Sequence, residues 1–237
     1  GEEYGIYHTV GDTIGPGGWA RSLRNIPVFV ELAQRINRLA PQAVILNYTN
    51  PMSTLTQALC LSTNRPVIGL CHGLFENLEF LRQLFNLESE EEIQCSYAGV
   101  NHFFWMTAIS IRGEDGFEWL QGELEECSLP ELRERTQPGR KGSYLAEELF
   151  RFTGLLPYLA DRHTCEFFPP YITSEANLAR YHLQRTTIEE RRAAMRTAEA
   201  AIEEMTAGTI PQRYRTRSRE TAADIINAFI TGKPFID

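Results

Sequence analysis

Three short apolar, β-prone runs, Ala43–Asn47, Pro66–Leu70 and Ile93–Ala98, each give way at once to polar residues that can bind ligands or metals. Asn50-Pro51 follows the first, Cys71-His72-Gly73 the second and Gly99-Val100-Asn101-His102 the third. Helical-period segments lie between the runs, and strands alternating with helices predict a largely parallel sheet. In open α/β sheets, ligands bind beyond the carboxyl ends of the strands. An amide, a thiol and an imidazole, distant in sequence, are therefore expected at one sheet edge. A soft thiolate beside an imidazole suits a divalent metal.

The 237 residues allow one large domain or two small ones. A net charge of −8 with no Lys/Arg block argues against a nucleic-acid partner. No apolar run approaches the roughly 20 residues of a membrane helix, so no membrane partner is expected. No signal peptide is visible. The five cysteines, Cys60, Cys71, Cys95, Cys127 and Cys165, are odd in number and irregularly spaced, which points to a reduced, cytoplasmic compartment.

Along the chain, residues 1–24 are glycine-rich and read as a loop. Asn25 reads as an N-cap with Pro27 in the first turn, opening a helix from Ile26 to Leu39. A strand at 43–47 follows, then a helix from Asn50-Pro51 to Ser62, a strand at 66–70, a helix at 75–86, and strands at 93–99 and 103–111. Residues 114–142 are acidic and punctuated by Pro and Gly, and read as a mobile excursion. Beyond them come a helix at 143–153, a turn at Gly154 and Pro157, a loop at Asp161-Arg162-His163, and an extended stretch from Glu166 to Tyr171. Helices at 187–206 and 218–231 close the chain.

Each of these features has an ordinary structural reading. Asn50-Pro51 is a common turn. Cys71 behaves as a small buried hydrophobe. His102, beside Phe103, Phe104 and Trp105, reads as a core histidine. Tyr144 packs on a helix face, and Asp161 caps a loop. Taken together, they resemble glycoside hydrolase family 4, the glycosidases that use NAD and a divalent metal. The resemblance rests on Gly11-Asp12-Thr13-Ile14-Gly15-Pro16-Gly17-Gly18, Arg24-Asn25-Ile26-Pro27, Asn47-Tyr48-Thr49-Asn50-Pro51-Met52, Cys71-His72-Gly73-Leu74 and Gly99-Val100-Asn101-His102-Phe103-Phe104-Trp105. Arg151–Pro157 and Asp161-Arg162-His163 extend it over most of the chain.

The resemblance implies a partial Rossmann-like, lactate/malate dehydrogenase-like α/β sheet over residues 1–100. It implies an α+β catalytic and substrate domain, incomplete at its C-terminus, over 101–237. Ahead of Gly1 it implies a strand, a Gly-rich dinucleotide turn and an acidic ribose-binding residue, so the sequence looks like the middle of such an enzyme. The chemistry implied is a redox-assisted elimination, not the usual pair of carboxylates. A hydride leaves sugar C3 for NAD, the C2 proton becomes acidic, the glycosidic oxygen departs, water adds and the hydride returns. By motif, Cys71 and His102 are the metal ligands, with Mn2+ the expected ion. Asn47 and Asn50 lie at the cofactor, and Asn50 also meets sugar hydroxyls. Tyr144 takes the base position, and Asp161 is an active-site carboxylate. His72, Arg162 and His163 are substrate contacts, with Glu166 beside them. His72 directly after the metal cysteine looks like the α-galacturonidase and α-glucuronidase members. The substrate expected is therefore a small α-glycoside of a uronic acid, with an arginine fork for its carboxylate. A neutral α-glucoside or α-galactoside is the alternative substrate. A metal- or carbohydrate-binding module without activity is the alternative from another class, and NAD titration separates it. The last two helices could pair identical chains into a homo-oligomer.

Overall fold

A computed structural model describes residues 1–140, 142–215 and 221–234. The chain forms two compact units, Gly1–Arg185 and Thr186–Asp237. The expected functional division at residue 100 falls within the first.

The helix expected from Ile26 already begins at Gly15: α1 spans Gly15–Leu39, and Pro27 lies inside it. Pro16 takes the first-turn place, where a missing N–H costs nothing. Asn25 does not cap; its amide donates to the Arg21 carbonyl at 3.0 Å. Gly17 and Gly18 lie so close to the backbone of Gly11 and Thr13 that a Cβ on either would come within 2.6 Å. The glycine-rich loop thus folds back over the first turn of its own helix.

Strand β1 (Ile45–Asn47) pairs in parallel with β2 (Val67–Gly69), Asn47 opposite Gly69. Helix α2 (Met52–Ser62) connects them, and its Met52 and Thr56 side chains press onto Gly69, where a Cβ would meet Met52 Sδ at 2.3 Å. Helix α3 (Gly73–Leu84) leaves the end of β2. The long antiparallel hairpin of β3 (Ile93–Val100) and β4 (Phe103–Ile111) comes next, joined by Asn101 and His102 alone. The chain is therefore a mixed helix-and-sheet fold, with a parallel βαβ unit followed by an antiparallel sheet.

Residues 114–142, expected to be a mobile excursion, are largely helical. After the two-residue strand β5 (Glu114–Asp115) come α4 (Gly116–Glu126) and α5 (Leu129–Thr136). Asp115 caps α4 through the Phe117 N–H at 2.8 Å, and Ser128 with Glu131 forms a capping box on α5. Leu120, Leu129 and Leu132 are fully buried. Each such burial stabilises by about 1.5–3 kcal/mol, which outweighs the poor helix signal of the acidic outer faces.

Helix α6 (Tyr144–Thr153) lies between two cores. Ala146 and Phe150 join the sheet-side cluster of Phe80, Leu81, Met106 and Ile111, while Leu145 and Leu149 join Cys165, Ile172 and Tyr181. Leu156–Pro157, expected as a turn, form β6 and pair with β4. Asp161–Thr164 form a short helix, α7, where a loop was expected. The stretch expected to be extended coils into two 3-10 turns, Cys165–Phe167 and Pro169–Ile172, which bring Phe167 against Phe103 at 4.5 Å between centroids. A further short helix, α8 (Glu175–Arg180), completes the first unit.

The second unit holds α9 (Ile188–Thr206), opened by a Thr187–Glu190 capping box, and α10 (Ala222–Thr231). The expected start of the last helix, 218–220, lies outside the described residues. Among the described residues, no helix is long and apolar enough to cross a membrane.

Candidate active site

His102 sits at the tip of the β3–β4 hairpin with φ +63°, a conformation histidine adopts more readily than most residues. Gly99 makes the hairpin end possible: its φ is +147°, and a Cβ there would lie 2.3 Å from the Phe103 carbonyl oxygen. The His102 ring is buried, 4.0 Å from the ring of His163 and 6.0 Å from that of Tyr158. Its Nδ1 lies 3.1 Å from Thr13 Oγ1, and the Thr13 hydroxyl donates to Asp12 Oδ1 at 3.0 Å. A threonine has one hydroxyl proton. Asp12 takes it, so Nδ1–H is the donor in the His102–Thr13 bond. Burial, reinforced by His163, lowers the His102 pKa to about 4. A neutral ring protonated at Nδ1 presents its lone pair at Nε2, the form in which histidine binds metals.

Cys71 is a free, half-buried thiol at the end of β2. It acts electrostatically on the Tyr158 hydroxyl, whose pKa burial drives far above that of a free tyrosine. Gly73 lets the start of α3 approach this ring, since a Cβ there would lie 3.5 Å from Tyr158 and 3.2 Å from Phe104. An imidazole with its lone pair at Nε2 and a free thiol are donor types that suit a divalent ion. Among the described residues, no three His, Cys, Asp or Glu side chains gather to hold one by themselves.

The parallel pairing of β1 and β2 brings Asn50 and His72 to the same sheet edge, where the rings of Tyr48 and His72 are 6.0 Å apart. Asn47 is buried, and its amide serves the loop: Nδ2 donates to Thr56 Oγ1 at 3.0 Å, and Oδ1 accepts from the Thr49 N–H at 2.9 Å. The Asn50 carbonyl accepts from Arg21 Nε at 3.0 Å, which ties this loop to α1.

Asp161 is buried at the N-terminus of α6. One carboxylate oxygen accepts from the Leu145 N–H and the other from the Ala146 N–H, both at 3.0 Å. Burial raises its pKa to about 6, against the lowering by these backbone donors. The buried amide of Asn77 fixes the segment before it, donating to the Pro157 carbonyl at 2.9 Å and accepting from the Leu159 N–H at 3.1 Å. A raised carboxyl pKa means that ionisation costs more in the folded chain than in the unfolded one. The contribution of Asp161 to stability is therefore expected to fall by about 3 kcal/mol as pH rises from roughly 4 to 6. Its carboxyl carbon should titrate in NMR with a midpoint near 6. A midpoint at or below the ordinary 3.8 would show that the helix N–H groups outweigh burial.

Tyr144 is 38% exposed and stacks on His182 at 4.3 Å between centroids. It borders an open cavity with Glu148 and Arg180, whereas His182 lines a separate cavity of about 290 Å3. That second cavity also contains Tyr158, Asp161, Arg162 and His163. Tyr144 and Asp161 are thus set on different walls. Burial lowers the pKa of His163, which lines the cavity and whose ring packs against the neutral ring of His102.

Three features of the site were not read from the sequence, although Glu166 itself was expected beside the substrate contacts. Thr13 orients His102. Glu166 accepts the Val10 and Gly11 N–H groups at 2.7 and 2.8 Å and so fixes the loop that carries Asp12 and Thr13. Arg133 and Arg140 join the cavity wall through Glu76. The only sequence signal for Thr13 was its place beside Asp12 in the glycine-rich motif.

Residues 1–87 match the family described as "Family 4 glycosyl hydrolase", and residues 97–236 match "Family 4 glycosyl hydrolase C-terminal domain". The chain belongs to glycosyl hydrolase family 4. An alpha-galacturonidase of Bacillus subtilis strain 168 is 34% identical over 204 residues, covering 77% of this chain and 44% of that protein. Other matching family 4 relatives carry the names alpha-galactosidase and 6-phospho-beta-glucosidase. The crystal structure of a Bacillus subtilis protein described as the glucosidase lplD superposes with a TM-score of 0.79 at 29% identity, over 96% of this chain and 54% of that one. A 6-phospho-alpha-glucosidase from gut microorganisms, solved with NAD and Mn2+, shares the fold with a TM-score of 0.63 at 24% identity, over 91% and 49% of the two chains. The family 4 chain described here spans about half the length of the relatives it matches.

Proposed function

We propose that the full-length protein is a family 4 glycosidase that cleaves α-glycosides of uronic acids with the help of NAD and a divalent metal. The observation that carries this reading is the cavity beside His102 and His163. Three arginines, Arg133, Arg140 and Arg162, face two carboxylates there, Glu76 and Asp161, so the wall is cationic in a chain of net charge −8. A uronic acid brings the complementary carboxylate. His72 after Cys71 supports the same substrate.

In this reading Cys71 and His102 hold the metal, with Thr13 fixing the His102 tautomer. Bound there, the metal supplies Lewis-acid polarisation of sugar oxygens, and NAD supplies reversible hydride exchange at C3. Asn47 holds the Asn50 loop in shape, and Asn50 and His72 meet cofactor and sugar. Tyr144, which borders a neighbouring cavity and stacks on His182 of the sugar cavity, keeps the role of base toward the C2 proton in this reading. Asp161, with a pKa near 6, suits transfer of a proton to or from the leaving group at neutral pH. Arg162 and His163 line the substrate side. Residues 1–100 form the cofactor half and 101–237 the substrate half. The protein works in the cytoplasm as a homo-oligomer, a reading supported by exposed Met195, Ile202, Phe229 and Ile230 on α9 and α10.

The test is a panel of p-nitrophenyl α-glycosides, assayed on the full-length protein with NAD+, Mn2+ and reductant. The uronides are expected to turn over at least tenfold faster in kcat/KM, about 1.4 kcal/mol of transition-state discrimination. Faster turnover of galactosides or glucosides would overturn the substrate class and leave the family 4 chemistry in place.

A further inference from the structure

We infer that Arg133 and Arg140, held by Glu76, form the subsite that binds the carboxylate of an anionic sugar in the cavity beside His102 and His163. The inference rests on the uronide reading above and assigns its recognition to particular residues.

Arg133 is 3% exposed and lines the cavity. A buried guanidinium normally has every N–H engaged. Here one amino group, Nη2, donates to Glu76 Oε1, while the other, Nη1, is buried without a partner among the described residues. Arg140 Nη1 donates to the same Glu76 oxygen at 2.9 Å. One carboxylate thus draws two guanidinium groups together and neutralises only one of them. The pair keeps a net positive charge and an unused N–H. Tyr158 lines the same cavity, and its ring stacks 6.0 Å from that of His102. The Phe80 ring lies under the Arg133 guanidinium at 5.7 Å and fixes its plane.

A preset guanidinium with one unpaired amino group, beside a second guanidinium, matches a carboxylate, which accepts two N–H bonds. A neutral hydroxymethyl group at the same position leaves Nη1 unsatisfied. A site built this way penalises the neutral sugar as well as favouring the acid. Arg162, the expected partner for the carboxylate, also borders the cavity, but it spends an N–H on the Thr9 carbonyl at 3.4 Å.

The test is binding of D-galacturonate and D-galactose to the chain, read by titration calorimetry or saturation-transfer NMR. The unsubstituted chain is expected to bind galacturonate at least tenfold more tightly than galactose. Arg133→Lys keeps the charge and removes the fork, and Arg140→Gln alters only a largely exposed side chain. Each is expected to weaken galacturonate binding about tenfold and to leave galactose within twofold, with melting temperatures confirming the fold. Full discrimination in both variants, with its loss in Arg162→Gln, would overturn this assignment and leave the uronide reading standing. An unsubstituted chain that binds both sugars equally would overturn the uronide reading and this assignment with it.

Discussion

Glu166→Ala is expected to destabilise the first unit by about 3–5 kcal/mol and to lower its melting temperature by roughly 10 °C. Glu166 is 5% exposed, and a single oxygen, Oε1, takes the N–H groups of Val10 and Gly11 at 2.7 and 2.8 Å. Thr9 Oγ1 reaches the same oxygen at 3.2 Å, and His8 Nδ1 lies 3.4 Å away. Burial alone would raise the carboxyl pKa. His8 and the two backbone amides outweigh it and hold the pKa below the ordinary 4.5. The sign follows directly: this stabilisation is present above pH 4.5 and is lost as pH falls through the depressed folded value. Alanine removes the acceptor and leaves two part-buried amide donors unmet, each costing about 1–3 kcal/mol. Glu166→Gln keeps an acceptor oxygen and should cost less than half as much. Urea unfolding gives the magnitudes, and hydrogen exchange gives the mechanism. The Val10 and Gly11 amides should lose protection in Glu166→Ala ahead of the rest of the unit. Unchanged protection at those two amides would show that the loop is anchored elsewhere.

That anchor also shows where sequence reading stops. The strands at 93–99 and 103–111 were legible because apolar β-formers run between clear turns, and α2 was legible because a proline precedes an uninterrupted helical pattern. The place of Cys71 at the end of β2 was legible from the apolar run before it, whereas His102, expected at the same sheet edge, lies at the tip of the β3–β4 hairpin in a separate antiparallel sheet. Helices α4 and α5 were not, because their outer faces are acidic and their buried contribution is three leucines, Leu120, Leu129 and Leu132. Reading that stretch as mobile hid Arg133, whose partner Glu76 lies 57 positions away. The Glu166–Gly11 bond spans 155 positions and carries no local signature at either end. The early start of α1 was hidden by its glycines, which discourage a helix in isolation and are required here by the backbone folded over them.

His102→Ala is expected to remove Mn2+ binding from the protein and to lower kcat/KM in the full-length enzyme by about a thousandfold or more, since Lewis-acid polarisation contributes several kcal/mol. The ring has no substitute at the hairpin tip: Asn101 and His102 are the whole connection between β3 and β4, and His163 lies beneath at 4.0 Å on a different element. The fold should survive, because the hairpin ladder and Gly99 set the backbone without the imidazole. Thr13 gives the more discriminating experiment. Thr13→Val keeps the shape and deletes the hydroxyl that connects Asp12 to Nδ1, and losing such an orienting partner typically costs about 10–100-fold in metal affinity. The histidine would remain, with its tautomer no longer fixed. Electron paramagnetic resonance of added Mn2+ should therefore rank the proteins as unsubstituted, then Thr13→Val, then His102→Ala, with melting temperatures close together. Equal Mn2+ affinity in all three would remove His102 from the metal site and leave Cys71 without its partner. Loss in His102→Ala with none in Thr13→Val would keep the ligand and discard the Asp12–Thr13 relay.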